Sequence, residues 1–159
     1  MSYKAVTKFN VLAGGAPSMG CDYEYVQQIK NQAKRVYEEV LELMQACEEE
    51  SFTGILDAFC DIRYTNEYLE DLLKAGDVQT EKAWLAVCEN NLSKFTTSYT
   101  YAADSKEYYE EKGVECYIES TAYDGETYFC IKRSEDNKVL KPHLYESVDL
   151  GGFVPKELK

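Results

Sequence analysis

Two groups of carboxylates are spaced so that each could act as a unit: Glu38-Glu39-Val40-Leu41-Glu42 and Asp57-Ala58-Phe59-Cys60-Asp61. On a helix, at about 100° per residue, Glu39 and Glu42 fall within about 60° of each other, and Asp57 and Asp61 within about 40°, one turn apart. Either pair can serve one cation. Hard divalent ions take oxygen ligands, and Mg²⁺ binds through a few carboxylates while keeping waters and substrate phosphates in its shell. Mg²⁺ is therefore the natural candidate, with Mn²⁺ as a substitute. The plain alternative is a solvated acidic face, since E-E-x-x-E is common on surface helices. The aspartate pair argues against it, because Asp57 and Asp61 share a helix face with Tyr64, Tyr68 and Leu72, where like charges are costly unless something positive compensates them.

Other metal chemistries lack ligands. The chain has one histidine, His143, and its six cysteines, Cys21, Cys47, Cys60, Cys88, Cys116 and Cys130, include no C-x-x-C pair. Neither a zinc knuckle nor a thioredoxin motif can be drawn, and free buried thiols in a reducing compartment are the simple reading. Any metal would have to be held by carboxylates.

The elements that must position these acids are legible from periodicity. From Asp22, a suitable N-cap, apolar positions run Val26, Ile29, Ala33, Val36, Val40, Leu43 and Cys47, the spacing of an amphipathic helix ending at Glu48 to Glu50. Ser51 or Thr53 can cap a second helix through about Lys74, stopped by Ala75-Gly76-Asp77. That helix is apolar on two sides, with Ile55, Phe59, Ile62, Leu69 and Leu73 against Tyr64, Tyr68 and Leu72, so it should be sandwiched. A third helix, about Val78 to Ser93, carries Trp84, Leu85, Val87 and Cys88. Ahead of them, Phe9 to Gly20 has the Gly and Pro content of a loop. Beyond Thr96 tyrosine becomes frequent, and Asp124-Gly125, flanked by Cys116-Tyr117-Ile118 and Thr127 to Ile131, predicts a hairpin. The fold class expected is all-α, a helical bundle with a small C-terminal β-hairpin appendage. Its helical core would span residues 1–97 and its C-terminal extension residues 98–159, packed on the same domain, with residues 154–159 a loosely held tail.

Composition narrows the function classes. With 159 residues and 45% apolar content the chain suits one globular domain. Its 17 basic and 29 acidic side chains give a net charge of −12, the wrong sign for a phosphate-backbone binder, so nucleic acid is not an expected partner. No run approaches the ~20 apolar residues of a membrane span, and the first ten residues lack a signal-peptide layout, so a soluble protein with no membrane partner is expected.

Taken in order, Glu38 to Glu42, Asp57 to Asp61, Asn91-Leu92-Ser93-Lys94 and Asn137-Lys138-Val139-Leu140-Lys141-Pro142 resemble the MazG-like, all-α nucleoside triphosphate pyrophosphohydrolases, in particular the short bacteriophage type related to phosphoribosyl-ATP pyrophosphohydrolase. The resemblance covers roughly residues 9 to 150. It implies that Glu39, Glu42 and Asp61 are Mg²⁺ ligands with Asp57 a fourth, that Glu38 supports them or acts with Glu39 in catalysis as a base, and that Asn91 and Lys94 contact the triphosphate. It also implies a homodimer or homotetramer in the cytoplasm, the host's if phage-encoded. Two positions depart from the family pattern. Ala58 stands where the second motif usually has glutamate, and Asn137 replaces a glycine, a place where asparagine tolerates a left-handed turn.

The implied reaction is hydrolysis of a nucleoside or deoxynucleoside triphosphate to monophosphate and pyrophosphate. Such chemistry needs an oriented water at the α-phosphorus and positive charge on the leaving pyrophosphate, which Lys94 with Lys138 or Lys141 could help hold. The same scaffold acting on dUTP or phosphoribosyl-ATP is one alternative. A non-catalytic acidic helical protein that binds a partner is another.

Overall fold

The chain reverses sharply after its longest helix because Glu50 adopts a left-handed conformation (φ 54°) and Ser51 immediately caps the next helix, its Oγ accepting the Gly54 N–H at 3.2 Å. In the computed structural model, which describes residues 2–14 and 23–158, this reversal joins α2 (Tyr23–Glu48) to α3 (Phe52–Ala75). The remaining elements are α1 (Ser2–Leu12), α4 (Thr80–Leu92), α5 (Tyr99–Glu110), β1 (Cys116–Tyr123), β2 (Glu126–Arg133) and two short 3₁₀ turns, Leu150–Phe153 and Lys156–Leu158. The described chain is thus mostly helical, with one two-stranded antiparallel sheet. The expected cap Asp22, and Cys21 and the glycines and proline between 15 and 20, lie outside the described residues.

Chain contacts divide the protein into two compact units, one of residues up to Thr80 together with those from Leu150, the other of Glu81–Asp149. The composition changes near residue 97, whereas this division falls at the start of α4, because α4 bonds to the loop before residue 150.

In the first unit α2 and α3 form an antiparallel hairpin whose register is fixed at three levels. Tyr25 Oη donates to Leu72 O at 2.8 Å, Gln32 Nε2 to Thr65 O at 2.8 Å, and Ala46 stands against Gly54, where an added Cβ would lie 3.1 Å from its own. The face of α2 in this seam is Tyr25, Ile29, Gln32, Val36, Glu39, Leu43 and Ala46, buried or half-buried. The expected stripe is therefore rotated: Ile29, Val36 and Leu43 belong to it, but Val26, Ala33, Val40 and Cys47 are exposed. Steps alternating between three and four residues keep one narrow seam facing a partner helix. α3 also receives α1 on another side, where Val6, Tyr68 and Leu72 form a buried cluster with Ile29 against it, and Thr7 Oγ1 donates to Asp71 Oδ2 at 2.7 Å. α3 is thus contacted by two helices as its two apolar faces suggest, although Phe59 remains 56% exposed. The segment Phe9 to Leu12, expected as loop, closes α1. The C-terminal residues return to this unit, Gln79 N–H donating to Phe153 O at 3.0 Å.

Gly76, the C-cap of α3, is held by contact and not by backbone strain (φ −91°). A Cβ there would collide with the Tyr25 hydroxyl and lie 2.8 Å from its Cζ. Gly76→Ala should therefore destabilise the protein by about 1–3 kcal/mol, the usual penalty for overpacking. Thermal unfolding of Gly76→Ala in a Tyr25→Phe background, where the hydroxyl is gone, should show a smaller penalty.

In the second unit the Asp124-Gly125 turn has both residues at positive φ (49° and 81°), as a tight hairpin requires, and pairs Tyr123 with Glu126 through Cys116 with Arg133. Helix α5 occupies a stretch in which periodicity predicts no helix. It is capped by Ser98 Oγ, which accepts the Tyr101 N–H, and buries the small residues Ala102 and Ser105. The segment after β2 turns at Asn137, left-handed at φ 59° as its place in the motif suggests, and pairs back so that Leu140 N–H donates to Ile131 O at 2.8 Å.

Candidate functional site

The hairpin register brings the two acidic motifs together. Counting from the paired levels Gln32–Thr65 and Ala46–Gly54, Glu39 falls level with residues 58–61 of α3 and Glu42 with residues 55–58, so Asp57 and Asp61 face the glutamate motif from one helix to the other. Glu39 occupies the seam and is half-buried, while Glu38, Glu42, Asp57 and Asp61 are exposed around it. Burial is the largest cause that pushes the Glu39 carboxyl above its ordinary value, followed by the negative charges of Glu42, Asp61, Glu38 and Asp57. No cation stands among the neighbours that shift it. Five acids from two helices therefore form one electrostatic group. Among the described residues no three carboxylate, thiol or imidazole groups are set closely enough to enclose an ion, so the exposed side chains would have to rotate inward to do so.

The proton linkage at Glu39 has a definite sign. Because folding pushes the Glu39 carboxyl above its ordinary 4.5, the folded chain holds that proton more tightly. The stability this gives is present below the unfolded value and lost as pH rises through the folded one. Glu39→Gln should accordingly raise the melting temperature of the metal-free protein at neutral pH. That gain should shrink as pH falls toward the ordinary glutamate value and be absent below it.

The four other motif residues belong to the second unit. Asn91 Nδ2 donates to Val87 O at 3.0 Å, and its Oδ1 accepts from Lys94 Nζ at 2.6 Å, so these two act as a pair at the end of α4. Lys141 Nζ donates to Ser147 Oγ at 3.3 Å and stands 4.9 Å from the centre of the Tyr145 ring. Tyr145 Oη in turn donates to Asn90 Oδ1, whose amide N–H₂ donates to Glu146 O at 2.7 Å. Asn90 and Tyr145, which sequence reasoning does not single out, thus join the end of α4 to the lysine loop. The only signal for Asn90 is its place beside Asn91. Lys138 follows the Asn137 turn, its N–H donating to Asp136 Oδ1 at 3.2 Å, and the Arg133 guanidinium holds Asp136 down at about 2.

His143, Cys116 and Cys130 take structural places. Ser105 Oγ donates to Tyr101 O at 2.8 Å and accepts the His143 main-chain N–H at 3.2 Å, with the His143 Nδ1 2.9 Å away. Cys116 and Cys130 are buried free thiols, pushed up first by burial, whereas Cys47 and Cys60 are exposed. No helix among the described residues is long and apolar enough to cross a membrane. No family model, curated protein or solved structure matches the chain.

Proposed function

We propose that the protein is a MazG-like nucleoside triphosphate pyrophosphohydrolase, cleaving a nucleoside or deoxynucleoside triphosphate to the monophosphate and pyrophosphate. The observation that carries this reading is the α2–α3 register, which faces Asp57 and Asp61 toward Glu38, Glu39 and Glu42. The donor set fits a divalent ion: it is all oxygen, strongly negative, and includes a carboxyl kept partly out of water. Glu39, Glu42 and Asp61, with Asp57, would hold Mg²⁺ or Mn²⁺, which when bound supplies positive charge against the developing pyrophosphate.

The chain's own residues have separable tasks. Glu38, exposed beside the cluster, accepts a proton from the attacking water. Lys94, oriented by Asn91, and Lys138 and Lys141 hold phosphate oxygens through charge. Self-association as a homodimer or homotetramer belongs to the same proposal. Leu41, Met44, Phe52, Leu56 and Phe59 leave large apolar surface outside the first unit, from 45% exposed at Leu41 to 84% at Phe52. Sedimentation should show more than one chain per particle at micromolar concentration.

Pyrophosphate release, measured across a panel of ribo- and deoxynucleoside triphosphates, dUTP and phosphoribosyl-ATP with Mg²⁺ or Mn²⁺, tests the activity. Release of pyrophosphate that stops on chelation is expected. A folded chain that releases none from any of them is an acidic binding protein instead.

A further inference from the structure

One turn and more ahead of the carboxylates, α2 carries Gln28, Asn31, Gln32 and Arg35, and these line a cavity of about 220 Å³ with Asn10 of α1 and Tyr68 of α3. Helix packing does not call for so many carboxamides in one place. Asn10 and Gln32 are only 6% and 4% exposed, and each is anchored by a single bond, Asn10 Nδ2 donating to Val6 O at 3.0 Å and Gln32 Nε2 to Thr65 O at 2.8 Å. Among the described residues their amide oxygens have no hydrogen-bond partner, and Arg35 has no carboxylate partner although the chain carries a charge of −12. An amide oxygen held at a cavity wall with no protein partner is an acceptor open to a ligand. Among the described residues no carboxylate lines the cavity.

We propose that this cavity receives the base of a nucleotide whose phosphates run along α2 toward Glu38, Glu39 and Glu42. The orientation rests on the hydrolase reading above; the base-binding claim does not. At 1.5 Å per residue Arg35 precedes Glu39 by about 6 Å and Gln32 precedes it by about 10 Å, which sets base, linking region and phosphates in sequence along one helix. The volume is below the ~300–1,000 Å³ of sites that enclose drug-sized ligands and suits one ring system. Carboxamides offer a donor and an acceptor side by side, the pattern that reads a base edge, and an arginine fork can read two acceptors. The Tyr68 ring supplies an apolar wall.

The test uses the full chain in metal-free buffer and the five common nucleosides, with ribose as the base-less control, binding being followed by ligand-observed NMR. At least one nucleoside should bind about tenfold or more tightly than ribose and be preferred over the others. Asn31→Ala and Arg35→Ala, both at exposed positions where folding is not at risk, should each lower that affinity several-fold to about tenfold. Gln32→Met, checked for folding by circular dichroism, should lower it further. Nucleosides that bind no better than ribose, or binding that is equal in the rim variants, would overturn the proposal. Nucleoside binding without pyrophosphate release sinks the hydrolase and leaves this pocket standing; hydrolysis without nucleoside preference does the reverse.

Discussion

Asp61→Asn should lower pyrophosphate release by about 10²-fold or more, because it removes one charge from the proposed ion site while keeping the side chain's shape, and ion stabilisation of the transition state is worth several kcal/mol. The fold should be indifferent to the change. Asp61 contributes to α3 through its main-chain carbonyl, which accepts from Thr65 Oγ1 at 2.9 Å, and its side chain is exposed. Stability without metal should hold level or rise, since one negative neighbour of Glu39 is gone. Steady-state turnover at limiting Mg²⁺ decides the matter: a folded Asp61→Asn protein that turns over at the parent rate removes this aspartate from the mechanism.

Lys94→Ala should reduce kcat and kcat/KM together, by roughly 10–10³-fold, with KM changing less. The ammonium is proposed to sit on phosphate oxygens, and its attraction strengthens as charge builds on the leaving group. The substitution also frees Asn91 Oδ1 from its 2.6 Å bond, so the Asn91 amide loses its orientation at the same time. Lys94→Arg should recover part of the rate. Mg²⁺ affinity without nucleotide should be unaffected by either change, whereas Glu39→Gln and Glu42→Gln should weaken it. If Lys94→Ala merely lowers the melting temperature, the residue is a favourable charge at the C-terminal end of α4 and nothing more.

The sequence discloses the α2–α3 hairpin because its signals are local: a serine cap, an acidic break, a glycine stop and a recurring apolar residue. The Asp124-Gly125 turn is local in the same sense. What escapes is structure that rests on polar or small residues. The α2 seam is set by Tyr25, Gln32 and Glu39 as much as by Ile29 and Leu43, so reading only apolar positions turns the helix slightly the wrong way. α5 buries Ala102 and Ser105, which carry almost no apolar signal, and α1 buries Val6 and Asn10 against a helix far along the chain. The same reasoning separates the two groups of candidate residues. Facing carboxylates on adjacent helices follow from spacing and a short connection, but the Tyr145–Asn90 link joins residues remote in sequence and needed the fold to be seen.

The return of the chain to the helical unit at Leu150 makes residues 81–149 an insertion held at both ends. A segment pinned in this way keeps less freedom when it unfolds than a chain with a loose end. Lengthening a flexible loop costs only about 0.6 kcal/mol per doubling, so additional residues at the exposed Asp124-Gly125 turn would add little to that closure term. A single cut at the turn would leave each fragment anchored covalently to one side of the helical unit. Variation in length at the hairpin tip therefore falls within the insertion, and the α2–α3 register that brings Asp57 and Asp61 level with the glutamates is set by residues of the helical unit alone.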